Sequence, residues 1–162
     1  MKRRLRSGLC IFLIMLFPMS LMAADYVADA DKLFAQGGLA NYKQAIELYQ
    51  KAIAENPGSY EAHWKCARAY REYGDTAKSQ KIEGWKDICA QSGKEGMQYA
   101  QKATELDPAK PDGYYYYGLN VGVYSDGVSI FTALAEGLKD KTQSSFEKTY
   151  KIDKMFKEGG PM

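Results

Sequence analysis

A sequence motif with helical spacing recurs along this chain and constrains its fold more than any other feature. In residues 42–57, a run with small residues at fixed spacing ends in a polar residue followed by Pro57. Residues 96–108 repeat this arrangement up to Pro108, and residues 144–153 hold a degraded copy. Such repeats are typical of stacked helix pairs, in which each pair buries its apolar face against the next. The repeated motif therefore predicts an all-α solenoid of about three helix pairs.

Residues 1–24 have the composition of a secretory signal peptide. Four basic residues precede an apolar run over residues 9–22, and Ala23 and Ala24 follow it. A membrane-spanning helix needs about 20 apolar residues, whereas this run is shorter and contains Pro18. We therefore expect cleavage near Ala23 or Ala24 and an exported, periplasmic protein that is not integral to the membrane. Retention of the run as an uncleaved anchor is the alternative.

The charge balance changes once this leader is set aside. The leader holds four of the 22 basic residues and no acidic residue, so the remaining chain has 18 basic against 20 acidic residues. No basic patch remains that would indicate a nucleic-acid partner. Cys66 and Cys89 also remain, and they either pair in an oxidising compartment or act as two buried thiols. Cys10 lacks the small residue directly before it that a lipidated cysteine requires, so we expect no lipid anchor.

Turn-forming residues divide the rest of the chain into helices. We expect a helix over residues 25–35, a second that begins after an N-cap at Asn41, and a third over residues 60–73 that stops at Gly74. Pro57 and Pro108 lie 51 positions apart, whereas a tetratricopeptide period is about 34 residues. The excess predicts an inserted helical segment, with Trp85, Ile88 and Cys89 packing back onto the solenoid.

The C-terminal part predicts three more helices. One has Pro111 in its first turn, a second covers residues 128–138 and a third covers residues 141–153. The helical domain would then run over residues 25–158. Residues 159–162 would be a truncated or uncapped end, because a solenoid needs a polar cap at each terminus.

The small residues of the repeats resemble the tetratricopeptide superfamily. The matching positions are Trp64, Ala67 and Tyr70 in the middle unit, Tyr114, Gly118 and Val121 in the third, and Ala45, Ala52, Gly96 and Ala103 in the second helices. Small side chains at these positions let paired helices approach closely. The resemblance implies a binding module and does not specify what is bound.

Two narrower resemblances accompany it. Residues 110–118, 127–134 and 136–139 and the terminal Gly-Gly-Pro at 159–161 resemble the T-component family of periplasmic TRAP transporters. Members of that family are thought to associate with the transporter's solute receptor, so the resemblance implies a protein partner in the envelope. Residues 64–108 are also similar to the eukaryotic regulators of microtubule dynamics. Because the leader predicts export, we interpret this similarity as a shared fold.

No constellation of residues predicts an enzyme. His63 is the only histidine, and it has no histidine or cysteine at metal-ligand spacing. No nucleophile elbow, phosphate-binding loop or dinucleotide motif occurs. We expect a packed structural role for His63, no catalytic residue, no cofactor and no metal.

The concave face of the solenoid is the better candidate for function. Trp64, Arg68 and Arg71 lie on one helix face, and Tyr115 and Leu119 occupy corresponding sites in the next unit. We call these five residues the strip. It predicts a basic and aromatic groove for an acidic peptide, a partner-protein tail or an organic acid. The alternative is that both arginines are solvated and Trp64 packs between repeats.

The run of four tyrosines covers most of one helix circumference, which favours a well-covered helix or one that lines a pocket. We expect Tyr114 and Tyr117 to face the core, and Tyr116 and Asn120 to line a pocket. The leading hypothesis is an accessory protein that docks with a periplasmic solute receptor or transporter. The alternatives are a general scaffold for envelope-protein assembly and a small-ligand carrier with a tyrosine-lined cavity.

Overall fold

The computed structural model describes the backbone of residues 20–156 and the side chains from Tyr26 onward. Within this part of the chain, all regular structure is helical, which confirms the all-α prediction. The seven helices are α1 (Ser20–Gln36), α2 (Leu39–Glu55), α3 (Tyr60–Ser79), α4 (Trp85–Leu106), α5 (Asp112–Gly127), α6 (Ile130–Ala135) and α7 (Leu138–Ile152).

The helix boundaries follow local chemistry at several points. Gly37 and Gly38 have φ of 69° and 90°, a backbone region that favours glycine, and they separate α1 from α2. The hydroxyl of Ser59 accepts a hydrogen bond from the Ala62 N–H at 3.2 Å and caps α3. Asn41 is not the N-cap of α2, because that helix begins at Leu39 and the Asn41 side chain donates to the Gly37 carbonyl.

The predicted stop at Gly74 is wrong, and its correction explains the long repeat spacing. Helix α3 continues to Ser79, because Gly74 is buried where α4 and α5 approach α3. A Cβ atom at Gly74 would lie 2.5 Å from Val123 Cγ1 and 2.6 Å from Ser92 Oγ. The predicted insert is therefore the last turn of α3, a short loop and the first turns of α4.

Consecutive helices pack against one another from α1 to α5, and α3 also contacts α5 directly. Beyond α5 the chain packs back through α7, which contacts α5, whereas α6 is only six residues long and makes few contacts. Gly137, at φ 62°, separates α6 from α7, so the single helix predicted over residues 128–138 is wrong.

The core is built largely from small residues in two clusters. One joins α1, α2 and α3 and contains Ala30, Ala45, Ile46, Tyr49, Cys66 and Ala69. The other joins α3, α4 and α5 around Ala67, Ala100 and Tyr116. Alanine at these positions lets the helices approach closely, so larger side chains such as Trp64 and Tyr115 pack at the cluster edges.

The predicted leader and the predicted chain end lie almost entirely outside the described residues. Helix α1 begins at Ser20 and includes Ala23 and Ala24, the expected cleavage positions. The terminal residues 159–162 lie outside the described range. Among the helices that the structure describes, none combines the length and the apolar character needed to cross a membrane.

Candidate binding face

The strip residues on α3 form a partly exposed face that leads towards α5. The Trp64 ring stacks on the Tyr116 ring with centroids 5.7 Å apart and an interplanar angle of 8°. Cys66 and Ala67, which follow Trp64 in α3, are fully buried. The Trp64–Tyr116 stack therefore joins α3 to α5 and leaves part of the tryptophan at the surface.

Arg68 joins the same face to α1. Its guanidinium carbon lies 3.9 Å from the centroid of the Phe34 ring and 5.2 Å from that of the Trp64 ring. Its Nη2 donates to Asp31 Oδ1 at 3.3 Å. A guanidinium that contacts two aromatic rings and a carboxylate is held in position, so Arg68 is not a freely solvated charge.

Asp31 on α1 is the centre of this polar network, and no local sequence pattern predicts its role. Lys65 Nζ lies 2.5 Å from Asp31 Oδ2, and the Tyr49 hydroxyl donates to Asp31 Oδ1 at 2.5 Å. Partial burial would raise the pKa of the Asp31 carboxyl, but the hydrogen bonds from Lys65 and Tyr49 and the charges of Lys65 and Arg68 lower it below its ordinary value. These contacts join residues 18 to 37 positions apart, which local sequence patterns do not reveal.

Arg71 also has carboxylate partners within the chain. It forms an ion pair with the adjacent Glu72, and its Nη2 lies 2.7 Å from Asp75 Oδ2 one turn further along α3. About a third of the Arg71 side chain is exposed. Both arginines of the strip are therefore paired with carboxylates of neighbouring residues.

Tyr115 and Leu119 complete the strip from α5. The edge of Tyr115 meets the rings of Tyr116, Phe146 and Phe156 at centroid distances of 5.2, 5.9 and 5.3 Å. Leu119 packs on the same buried cluster as Trp64 and Tyr115. The five residues chosen from the sequence thus lie along neighbouring parts of one surface.

The two residues expected to line a pocket are packed between helices. Tyr116 is 5% exposed, which corrects the expectation that Tyr114 and Tyr117 would be the core tyrosines. Burial raises the pKa of Tyr116 to about 12. Asn120 is fully buried, donates to the carbonyls of Ala67 and Tyr116 at 3.0 and 2.8 Å, and fits against Gly96. The three cavities described for this chain have neither residue in their lining, and the pocket stays a prediction.

The groups with catalytic or metal-binding chemistry occupy packed positions. His63 is 4% exposed, and its Nδ1 lies 2.8 Å from the Ser59 carbonyl oxygen, to which an Nδ1–H donates. Cys66 and Cys89 are free thiols, both fully buried. Burial raises the pKa of the Cys66 thiol well above its ordinary value, which disfavours the nucleophilic thiolate. The described residues contain no group of side chains that could hold a metal ion.

The fold and this face together define an all-helical protein whose neighbouring helices present partly exposed aromatic and arginine side chains. The family model of Regulator of microtubule dynamics protein 1-3 matches residues 26–154, so the chain belongs to that family. No curated protein matches the chain.

The family match corrects two resemblances and supports a third. The assignments to the tetratricopeptide superfamily and to the T-component family of TRAP transporters are wrong, because the matching family is neither of these. The similarity noted over residues 64–108 was to the family that matches, so its interpretation as a shared fold alone is wrong. Short alanine and glycine spacings are shared by many helical proteins, whereas a family model uses the whole length of the chain.

Proposed function

We propose that this chain is a non-enzymatic protein-binding module that holds a peptide segment of its partner on the strip. The observation that carries the proposal is the continuous arrangement of Phe34, Arg68, Trp64, Tyr116 and Tyr115 across α1, α3 and α5. Tryptophan, tyrosine and arginine are the residues most enriched among those that dominate binding energy at protein interfaces. Here they are pre-positioned by packing, so little conformational entropy is lost on binding.

The arrangement of the helices supports this use of the surface. We propose that α1 with α2, α3 with α4, and α5 with α7 form successive helix pairs of a short solenoid, in keeping with the order of their contacts. The first helix of each pair then contributes to one face, and the strip lies on the first helices of the second and third pairs. Such a face suits an extended or helical peptide.

The ion pairs of Arg71 favour a partner segment that carries a carboxylate. Partly exposed pairs such as Arg71–Asp75 contribute only about 0–1 kcal/mol. An incoming carboxylate can therefore replace Asp75 at little cost and bind the guanidinium through two hydrogen bonds. A neighbouring apolar side chain of the peptide would cover Trp64 and Leu119.

Tryptophan fluorescence provides a direct test, because the chain has only two tryptophans. In a Trp85→Phe variant, Trp64 is the sole reporter. We expect a synthetic peptide of glutamate and leucine residues to change its emission, and the same peptide with glutamine for glutamate to bind roughly tenfold more weakly. A Trp64→Phe variant, which retains Trp85 at the start of α4 and outside the strip, should show no change in emission.

Matched charge variants decide whether the strip is the site. Arg71→Gln should weaken binding of the acidic peptide about tenfold, whereas Lys94→Gln, at an exposed position of α4, should leave it unchanged. Equal effects of the two variants, or an unchanged Trp64 emission at saturating peptide, would refute the proposal.

The family match favours a second candidate function. Because the family is named for regulators of microtubule dynamics, we propose an effect on microtubule growth as an alternative for this chain. Purified protein added to polymerising tubulin would change growth or shortening rates if this candidate is correct, and leave both unchanged if it is not.

We also propose that the protein is exported, on the strength of residues 1–24. Mass spectrometry of the protein isolated from its cells should show a chain that begins near Asp25. A full-length mass with intact Met1 would contradict export by cleavage.

A further inference from the structure

A second apolar surface lies at the other end of the molecule from α1. Among the described residues, the exposed large hydrophobic side chains all fall within one stretch of 26 residues, at Ile130 (67%), Phe131 (81%), Leu134 (71%), Tyr150 (47%) and Met155 (79%). Monomeric proteins rarely expose several large apolar side chains together, and such a patch usually marks a binding surface. None of these residues belongs to the strip.

Part of this surface is a groove between α6 and α7. The groove has a volume of about 800 Å³, and Ile130, Leu134, Leu138, Phe146 and Tyr150 contribute apolar lining to it. Helix α6 has no buried residue, and its contacts with α7 are sparse. The apolar side chains of α6 are therefore available to a partner that enters the groove.

Three polar residues of α7 mark one edge of the groove. Lys139, Gln143 and Glu147 all contribute to its lining and follow one another at four-residue spacing, which places them in one row along the helix. The Gln143 side chain donates to Glu147 Oε1 at 2.9 Å. The row thus carries a positive charge at its start, an uncharged amide at its centre and a negative charge at its end.

The charges of this row are complementary to those of a second copy of the row that runs in the opposite direction. If two α7 helices lie antiparallel with Gln143 at the centre, Lys139 of each chain faces Glu147 of the other, and the two Gln143 side chains meet on the axis. Parallel helices would instead bring like charges together, which is unfavourable. Two-fold pairing of identical surfaces is also the commonest form of protein oligomer.

We propose that the α6–α7 groove binds a second copy of this chain, through a two-fold axis that passes near Gln143. In this dimer, Ile130 and Leu134 of each chain cover the apolar groove of the other, and two Lys139–Glu147 pairs fix the antiparallel register. The proposal does not depend on the function of the strip, because it uses different residues on different helices.

Charge reversal tests the register as well as the dimer. Sedimentation velocity of the purified protein should show a dimer at micromolar concentration. Lys139→Glu alone, or Glu147→Lys alone, would place like charges in contact twice in each dimer and weaken dimerisation at least about tenfold. The double variant K139E/E147K restores both pairs in reversed polarity, so it should dimerise as the parent does.

A mixture of the two single variants gives the sharpest result. Each variant alone should be largely monomeric, but together they should form a mixed dimer, because two Glu side chains of one chain then face two Lys side chains of the other. Recovery on mixing also excludes misfolding as the reason for the loss. Lys141→Glu, on the same helix but outside the groove lining, serves as the control and should leave the dimer intact.

Three results would overturn the proposal. The first is a parent protein that remains monomeric at 100 μM, a concentration on the order of that at which weak specific dimers form. The second is a dimer that Leu134→Asp leaves unaffected. The third is a pair of single variants that does not recover on mixing, which would assign the groove to another occupant, such as the chain's own terminal residues.

Discussion

Helices α1 to α5 and helices α6 to α7 use their apolar residues in opposite ways. From α1 to α5, small residues are completely buried, and the larger aromatic side chains stack between neighbouring helices. From α6 onward, large apolar side chains point outward, and only Leu138 among the hydrophobic residues is buried. Packing within the chain therefore covers the large apolar side chains of the first region more completely than those of the second.

The difference arises from how closely the helices can approach. At Gly93 the backbone of Tyr124 lies where a side chain would stand, and at Gly127 the backbone of α4 does the same. These contacts let α4 and α5 pack tightly over their length. Helix α6 has no glycine at a comparable contact, and its six residues are too few to bury a face.

The largest effect that we expect comes from filling one of these close contacts. Gly93→Ala places a methyl group within 3 Å of the Tyr124 backbone, which a rotamer change cannot relieve. We expect a loss of about 3 kcal/mol in the free energy of unfolding, measured by urea denaturation.

Gly122→Ala is the matched control for this substitution. Gly122 lies in α5, two residues from Tyr124, and nothing lies within 4 Å of an added Cβ atom. Alanine favours helix more than glycine does, so this variant should gain about 0.5–1 kcal/mol. A similar change in stability in both variants would show that the close contact at Gly93 does not control the stability of the α4–α5 packing.

A smaller effect should follow from removing the carboxylate that holds α1 against α3. Asp31→Asn leaves Arg68 and Lys65 with weaker partners, and we expect a loss of about 1–2 kcal/mol at pH 7. Asp29→Asn is the control, because Asp29 forms only an exposed pair with Lys32 and should change stability by about 0.5 kcal/mol or less.

The pH dependence of this effect has a defined sign. Because the folded-state pKa of Asp31 is lowered, its contribution is present above the ordinary carboxyl value of 3.8 and is lost as the pH falls through the folded value. The parent and Asp31→Asn should therefore differ most near neutral pH and converge below pH 3.8. A difference that stays constant from pH 7 down to acid would contradict the role of the charged carboxylate.

The sequence alone predicted the helical class and several boundaries, because these depend on local chemistry. Helix α3 begins at Tyr60 as predicted, with Ser59 as its N-cap, and α1 ends one residue beyond the predicted end at position 35. Glycine was the main source of error. Gly74 was interpreted as a stop, but it lies inside α3 at a contact between three helices, and no local pattern distinguishes these two uses of glycine.

Helical spacing puts Trp64, Arg68 and Arg71 on one face, because that relation is local, but it does not predict the carboxylate partners of the two arginines. The partner of Arg68 is Asp31, 37 positions earlier, and its position depends on how α1 packs against α3. The burial of Tyr116 rather than Tyr117 likewise depends on α5 contacting α3 and α4 together, which spacing within one helix does not specify.

The smallest effect should be found at the most exposed side chain of α6. Phe131 is 81% exposed and contributes no lining to the α6–α7 groove, so Phe131→Ser should change the free energy of unfolding by no more than about 0.5 kcal/mol. Phe146→Ser on α7 should instead cost about 3 kcal/mol, because this ring packs against Gly118 and Tyr115. Urea denaturation of both variants compares the free-energy cost of replacing a packed side chain with that of replacing an exposed one. A cost for Phe131→Ser close to that for Phe146→Ser would show that Phe131 packs within its own chain, which would contradict the contrast between the two regions.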